Sequence, residues 1–169
     1  MTTKRVLIIS FDFPPQGGTG AIRVTKFVKY LPEFGWKPMV VCSDTDWNPD
    51  ESLARDVSPD VPVYRVGWPR WVRALRPGAP GITNHTMATT TRAGWISSLK
   101  KAFVQAARRA LVPDTNILWV NGALRVCEQV LREHPCEVVL TTSPPNSVHL
   151  VGRGSVSYTH LTLPTTPYV

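Results

Sequence analysis

The residues best suited to chemistry form a glycine-rich segment near the start of the chain, FPPQGGTGAIR. Gly17, Gly18 and Gly20 lack a Cβ, so their backbone can approach a ligand closely and can adopt positive φ. A helix that begins at Ala21 would direct unpaired N–H groups and the positive end of its dipole at an anion, and Arg23 would add a full charge. The segment therefore predicts a binding site for a diphosphate or another anionic group.

This segment matches neither of the two standard phosphate-binding motifs. A dinucleotide fingerprint that begins at Gly18 would require a glycine at the position of Arg23, and no Gly-Lys-Ser/Thr triplet ends a Walker loop. A tight turn without a ligand therefore stays open as an alternative. Asp12 and Asp44, each just past the end of a predicted strand, are further candidates for polar contacts with a ligand.

Strands and helices alternate along the chain and would place this segment at one edge of a sheet. A continuous apolar run, typical of a parallel strand buried on both faces, occupies residues 5–11. Further strands are predicted at residues 37–43, at 61–66, which is shorter, and at 137–142. Helical spacing follows at 21–34, with Gly35 as its stop, at 117–134, and from Ser147 onward. The inward-facing residues predicted for the second of these helices are Leu118, Ala123, Leu124, Cys127 and Leu131.

This alternation predicts an α/β fold with an open, parallel, doubly wound (Rossmann-like) sheet. In such sheets, ligands bind outside the carboxyl ends of the strands, and the first strand-to-helix turn is the usual place. The glycine-rich segment occupies that turn.

The net charge of +7 is concentrated in the middle of the chain. Residues 61–112 contain nine Lys and Arg, three Trp, and no Asp or Glu, and residues 96–111 have the spacing of a basic amphipathic helix. Such a segment suits an anionic membrane surface, because apolar rings enter the headgroup region while basic residues add electrostatic attraction. A solvated helix face packed on the core is the other interpretation. No nucleic-acid-binding motif is recognisable, so nucleic acid is not an expected partner.

The cysteines and histidines predict neither a metal site nor a disulfide framework. Three cysteines leave one unpaired in any scheme and contain no C-x-x-C pair, and the four histidines are scattered. Buried thiols in a reducing compartment are expected, with no metal and no cofactor. No apolar run approaches the ~20 residues of a membrane span, and the first run is too short for a secretory signal. A cytoplasmic location follows as the expectation, with peripheral attachment at the inner membrane face as a possible extension.

The C-terminal residues differ in character from the rest of the chain. Residues 154–169 carry no Asp, Glu, Lys or Arg, and their SVSYTHLTLPT resembles the conceptual translation of a transposase adapter used in sequencing libraries. Residues 1–153 are therefore expected to be one truncated native domain, and residues 154–169 a non-native tail.

Two runs of sequence resemble a known enzyme family. KRVLIISFDFPPQGGTGAIRVTKFVKYLPEFGWKPMVVCSD resembles the opening of the N-terminal domain of group 1 (family 4-like) retaining glycosyltransferases, which have the two-domain GT-B fold. Asp114 with Trp119, followed by EVVLTTSPPNSVHLVG, is similar to the later strand and turn of a subgroup acting in cell-surface polysaccharide or lipid-linked sugar assembly. The resemblance covers roughly residues 4–152, and its two ends carry it.

The resemblance implies a retaining, hexosyl-type glycosyltransferase that moves a sugar from a nucleotide-sugar donor to a carbohydrate or lipid-linked acceptor. It gives contacts with the donor diphosphate and the acceptor to Gly17, Gly18 and Gly20, with Arg23 as a helper. A cleft-lining role passes to Ser143, Pro144, Pro145 and His149.

The second domain of that family and its two-glutamate motif are missing from this sequence. The chain alone is therefore expected to be inactive, and catalytic residues stay unassigned. A non-catalytic nucleotide- or phosphate-binding module and a basic peripheral membrane-binding protein are the alternatives.

Overall fold

The computed structural model describes residues 4–45, 49–69, 72, 114 and 116–157, and within these ranges four strands alternate with helices. The strands are β1 (Lys4–Ser10), β2 (Trp36–Ser43), β3 (Val63–Val66) and β4 (Val138–Thr142). The α-helices are α1 (Thr19–Tyr30), α2 (Glu51–Ala54), α3 (Ile117–Glu133) and α4 (Ser147–Ser157). All pairings are parallel and the strand order is β3-β2-β1-β4. The predicted α/β class with a parallel sheet is confirmed.

β1 is buried on both faces of the sheet, which explains its unbroken apolar run. Val6, Leu7, Ile8 and Ile9 are between 0 and 4% exposed. Because side chains alternate between the faces of a strand, Leu7 and Ile9 enter the core beneath α3 and α4, while Val6 and Ile8 enter the core beneath α1. The two cores lie on opposite sides of one sheet, so both faces of β1 are covered by helices.

α1 ends near the predicted stop but through a tighter turn. The α-helix ends at Tyr30, and the chain continues as a single 3-10 turn, Leu31–Phe34, whose first residues include Pro32. Pro32 has no N–H to donate to the preceding helical turn. Gly35 then takes a φ of 77°, and the predicted glycine stop is confirmed.

The buried face of α3 differs in part from the prediction. Leu118, Leu124 and Leu131 are only partly buried, and the fully buried set is Trp119, Val120, Ala123, Cys127 and Val130. The Trp119 ring is 0% exposed, and its indole Nε1–H donates to the Val66 carbonyl at 3.0 Å. The largest side chain of the helix thus decides which face points inward, which leucine spacing alone does not reveal.

The strand order contains one reversal, between β1 and β4. From β1 the chain moves outward to β2 and β3, and it then returns to pair β4 with the other side of β1. α1 covers one face of the sheet, whereas α3 and α4 cover the other. Ligands of open α/β sheets usually bind at such a reversal, outside the carboxyl ends of the strands. We call this region between the carboxyl ends of β1 and β4 the crevice.

Several sequence predictions fall outside the described ranges. The basic amphipathic segment 96–111 lies there, as do Trp71 and Trp95. At the C-terminus, α4 continues through Ser157, and Ser155 is buried with its hydroxyl donating to the Gly152 carbonyl at 2.9 Å. Residues 158–169 are not described, and the domain boundary at residue 153 stays a prediction. None of the helices within the described ranges is both long and apolar enough to cross a membrane.

Two ion pairs join α1 to the loop after α2. They predict that the stability of the fold depends on pH. Lys26 and Lys29 donate to the two oxygens of Asp56 at 2.6 and 2.7 Å, and these hydrogen bonds lower the pKa of Asp56 from 3.8 to about 2. A carboxyl whose pKa is depressed by folding stabilises the fold above its unfolded pKa and loses that contribution as the pH falls through the folded value.

We therefore expect the wild-type urea midpoint to fall more steeply than that of Asp56→Asn between about pH 5 and pH 2. Added salt should shrink the difference, since exposed charges are screened. Parallel pH profiles for the two proteins at low salt would contradict a stabilising role for Asp56.

Candidate functional site

The candidate site lies at the carboxyl edge of the sheet, where the turns after β1 and β4 face the strand-order reversal. The first turn is the glycine-rich segment between β1 and α1, and the second runs from Ser143 to Asn146, between β4 and α4. Cis peptide bonds precede Pro15 in the first turn and both Pro144 and Pro145 in the second. Of the site residues predicted from the sequence, Gly17, Gly18, Ser143, Pro144 and Pro145 lie in the two turns. Gly20 and Arg23 lie in α1, and His149 lies in α4.

Three tethers hold the glycine-rich turn against the rest of the fold. The Asp50 amide donates to the Pro15 carbonyl at 2.6 Å, and the Arg65 guanidinium donates to the Pro14 carbonyl. The Gln16 side chain supplies the third tether from inside the turn. The prolines and Gln16 are thereby held in place. Gly18 and Thr19 are exposed, while Asp12 and Pro15 are half-buried.

The start of α1 presents backbone donors without a side-chain cap. Gly18 is the N-cap residue with a φ of 112°, no side-chain hydrogen bond caps the helix, and no acidic residue lies in its first turn. The first amides of a helix have no intrahelical acceptors, and together they carry the positive end of the helix dipole. The three glycines differ in role, because only Gly18 needs positive φ, while Gly17 is buried and Gly20 packs against Asp12.

Arg23 connects the two turns across the crevice. Its guanidinium donates to the Ser143 carbonyl at 2.5 Å, although the two residues are 120 positions apart in the sequence. A guanidinium carries five N–H donors, so this bond leaves further donors for a ligand. Arg23 is exposed. The structure thus brings the two predicted halves of the site together through one side chain.

The remaining predicted residues of the second turn support α4. The Ser143 hydroxyl donates to the Asn146 side-chain oxygen at 2.8 Å, and His149 Nδ1 lies 2.8 Å from the Thr141 hydroxyl on β4. Asp114 accepts the Ser147 amide at the start of α4, also at 2.8 Å. His149 therefore bonds to the strand beside the turn, and none of its hydrogen bonds reaches the glycine-rich turn.

A buried polar chain behind the glycine-rich turn was not predicted from the sequence. The Gln16 amide Nε2–H donates to Asp12 Oδ1 at 2.5 Å, and the Thr45 hydroxyl donates to Gln16 Oε1 at 2.9 Å. Ser43 continues the chain at 2.6 Å from the Thr45 hydroxyl and donates to the Phe11 carbonyl at 2.8 Å. Gln16 is 0% exposed. The only sequence signal was a polar residue inside an otherwise apolar and glycine-rich turn.

We call the glycine-rich turn together with the start of α1 the corner. The Asp12 carboxyl lies in this corner, and its pKa is shifted. Partial burial raises the pKa of Asp12 above its ordinary value, and the hydrogen bond from Gln16 opposes that shift. Asp44, the other carboxyl suggested by the sequence, is exposed at the end of β2, where its amide donates to the Val66 carbonyl at 3.0 Å. Of the two carboxyls, Asp12 is the one built into the corner.

The cysteines do not supply a nucleophile to this site. Burial raises the pKa of Cys42 and of Cys127 to about 12, so both remain protonated at neutral pH. The prediction of buried thiols is confirmed for these two, while Cys136 is half-buried. In the described ranges, no group of three or more His, Cys, Asp or Glu is arranged to hold a metal ion.

The described cavities lie beside the corner or at the far edge of the sheet. A cavity of about 650 Å³ follows the end of β3, where Trp68 and Pro69 face the start of α3. Another, of about 440 Å³, lies at the amino edge and is lined in part by Arg5, Trp36 and His134. Neither of these two cavities is lined by the glycine-rich turn.

The sequence matches no protein-family model, and no curated protein is significantly similar to it.

Proposed function

We propose that this chain is the N-terminal, acceptor-side half of a retaining glycosyltransferase, and that the crevice between β1 and β4 binds the diphosphate of a nucleotide-sugar donor. The proposal rests mainly on Arg23, which lies near the uncapped start of α1. Its guanidinium donates to the carbonyl of Ser143 in the second turn. The sequence resemblance supplies the enzyme class, and the donor enters as a substrate, with no cofactor required. The acceptor is a carbohydrate or a lipid-linked sugar.

The physical basis is the charge that develops on a diphosphate leaving group during sugar transfer. Backbone N–H groups at the start of α1 and the Arg23 guanidinium are donors that are already in place, so they need little rearrangement when that charge appears. Such preorganised donors are often the largest single contribution to an enzyme's rate. Gly18 has no side chain to cover these donors. The space beside it is open, since an added Cβ would meet none of the described atoms within 4 Å.

The proposal predicts that the double variant Gly18→Val, Arg23→Ala binds inorganic pyrophosphate and UDP about 10- to 100-fold more weakly than the wild type. Valine cannot adopt the φ of 112° without strain and would cover the N–H donors, while alanine removes the charged donor. Isothermal titration of the 169-residue chain measures both affinities.

A matched control separates backbone strain from loss of the site. Gly35 also has positive φ with no atom near an added Cβ, and it lies at the opposite edge of the sheet. Arg132 is an exposed arginine in the last turn of α3, away from the glycine-rich turn. The double variant Gly35→Val, Arg132→Ala should therefore bind both anions as the wild type does. Equal affinity in the wild type and in the Gly18, Arg23 variant would remove the anion-binding role from this corner.

A further inference from the structure

Asp12 presents one carboxylate oxygen that the fold leaves unused. Its Oδ1 is held by the Gln16 amide, whereas its Oδ2 has no hydrogen-bond partner in the described part of the chain. Oδ2 faces Gly20 at the start of α1, where an added Cβ would lie 3.0 Å away. Asp12 is half-buried, and its Oδ2 is not among the fully buried, unpartnered polar atoms of the described residues, so this oxygen keeps some access to solvent.

The polar chain behind Asp12 fixes the direction of that oxygen. Because the Thr45 hydroxyl donates to Gln16 Oε1, the Gln16 amide must turn its NH₂ group toward Asp12. Gln16 is fully buried and cannot exchange these partners for water. Gln16 is therefore a positioning residue, and Asp12 holds a single orientation beside the turn.

The Asp12 carboxylate is not expected to bind the phosphate that we place at the neighbouring N–H donors, and it would bind a different chemical group. A carboxylate oxygen repels a phosphate oxygen, but it accepts a strong, charge-assisted hydrogen bond from a neutral hydroxyl. The corner thus has a donor-rich side at Gly18 and Arg23 and an acceptor side at Asp12. A molecule that carries both a phosphate and hydroxyl groups would match both sides.

We infer that Asp12 Oδ2 binds a hydroxyl group of a carbohydrate placed next to the phosphate-binding turn. The inference rests on the proposed function for the neighbouring phosphate, but its own chemistry requires only a sugar hydroxyl. That hydroxyl belongs either to the donor sugar of a nucleotide-sugar or to a separate acceptor sugar, and the two sources are distinguished by the ligand used.

The test compares UDP-glucose, methyl α-D-glucoside and inorganic pyrophosphate as ligands of the 169-residue chain, followed by NMR titration. Asp12→Asn should weaken binding of the ligand that supplies the hydroxyl by about tenfold or more. The same variant should bind pyrophosphate more tightly, because a negative charge beside the anion is removed. If Asp12→Asn weakens the binding of UDP-glucose alone, the hydroxyl belongs to the donor sugar. If it weakens the binding of the glucoside, the hydroxyl belongs to a separate acceptor sugar.

Gly20→Ala provides a second variant that retains the Asp12 charge. Its methyl group would crowd Oδ2, and alanine is favourable within a helix, so folding should be retained while the glucose ligand binds more weakly. Asp60→Asn, an exposed carboxyl elsewhere on the chain, is the control and should leave all three affinities unchanged.

The outcomes separate this inference from the proposed function. Sugar binding that depends on Asp12, without any pyrophosphate binding, would support the inference and overturn the anion site. If the chain binds pyrophosphate, and the wild type and Asp12→Asn have the same affinity for the sugar, the anion site would be supported and the inference about Asp12 would be overturned. A response of Asp12 to Mg²⁺ alone, with none to the glucoside or UDP-glucose, would replace the hydroxyl with a cation and overturn the inference.

Discussion

Trp119→Ala is expected to lower the free energy of unfolding by about 3 to 5 kcal/mol, the range for removing a large aromatic side chain from a core. The ring is 0% exposed, and it packs edge-on against Phe11 with ring centres 5.4 Å apart. The Val66 carbonyl would also lose the indole donor, although it keeps the bond from the Asp44 amide. The cost therefore comes mainly from the cavity. Urea denaturation followed by circular dichroism measures it.

Two companion variants keep this prediction testable if the alanine variant does not fold. Trp119→Phe retains a ring against Phe11 but removes the N–H group, so we expect a smaller loss of about 1 to 2 kcal/mol. Trp36→Ala, at a half-buried tryptophan, should cost less than Trp119→Ala. If the two alanine variants were equally stable, Trp119 would not be the centre of the core beneath α3.

Gly152→Ala is expected to destabilise the fold by about 1 to 3 kcal/mol through overpacking between α4 and β4. An added Cβ would lie 2.3 Å from Thr141 Cγ2, a distance that forces one of the two elements to move. Rotation of the Thr141 side chain away from the methyl group would break the hydrogen bond between its hydroxyl and His149. This clash outweighs the gain in helix propensity from glycine to alanine, which is about 1 kcal/mol.

Thr141→Ser should rescue the Gly152→Ala variant. Serine lacks the Cγ2 methyl group but keeps the hydroxyl that bonds to His149, so the double variant should regain most of the lost stability in a double-mutant cycle. Gly154→Ala is the control on the same helix, since its Cβ would meet the mobile end of the Leu124 side chain and should cost less. Equal losses at the two glycines, with no rescue by serine, would refute the packing explanation.

Much of the sheet could be predicted because its physical signals are local. Buried parallel strands require continuous apolar runs, and the runs around Ile8, Val40 and Leu140 lie side by side in the observed register. The boundary of β3 was less accurate: it begins at Val63 and not at residue 61. Pro62 precedes it and has no N–H to contribute to the ladder.

The candidate site could be predicted only in its separate parts. A glycine turn before a helix is visible in the sequence, but the bond from Arg23 to Ser143 depends on where β4 inserts into the sheet. The burial of Gln16 depends likewise on Thr45 at the end of the neighbouring strand. Both contacts join distant segments, and no pattern within one segment encodes them. The α3 face was predicted in part: Ala123 and Cys127 are buried, and Leu124 and Leu131 pack against the core. Trp119 was missed because its hydrogen-bond partner lies on β3.

Asp114 bonds to the amides that begin two different helices, Asn116 before α3 and Ser147 in α4, at 2.8 Å each. The carboxylate thus joins segments that are 33 positions apart in the sequence, and the starts of the two helices share one acceptor group. Because Asp114 lies two residues before Asn116, fraying at the start of α3 would displace the carboxylate and withdraw the acceptor from the Ser147 amide of α4. The Pro144–Pro145 turn between β4 and α4 should consequently move together with the start of α3, as one cooperative unit.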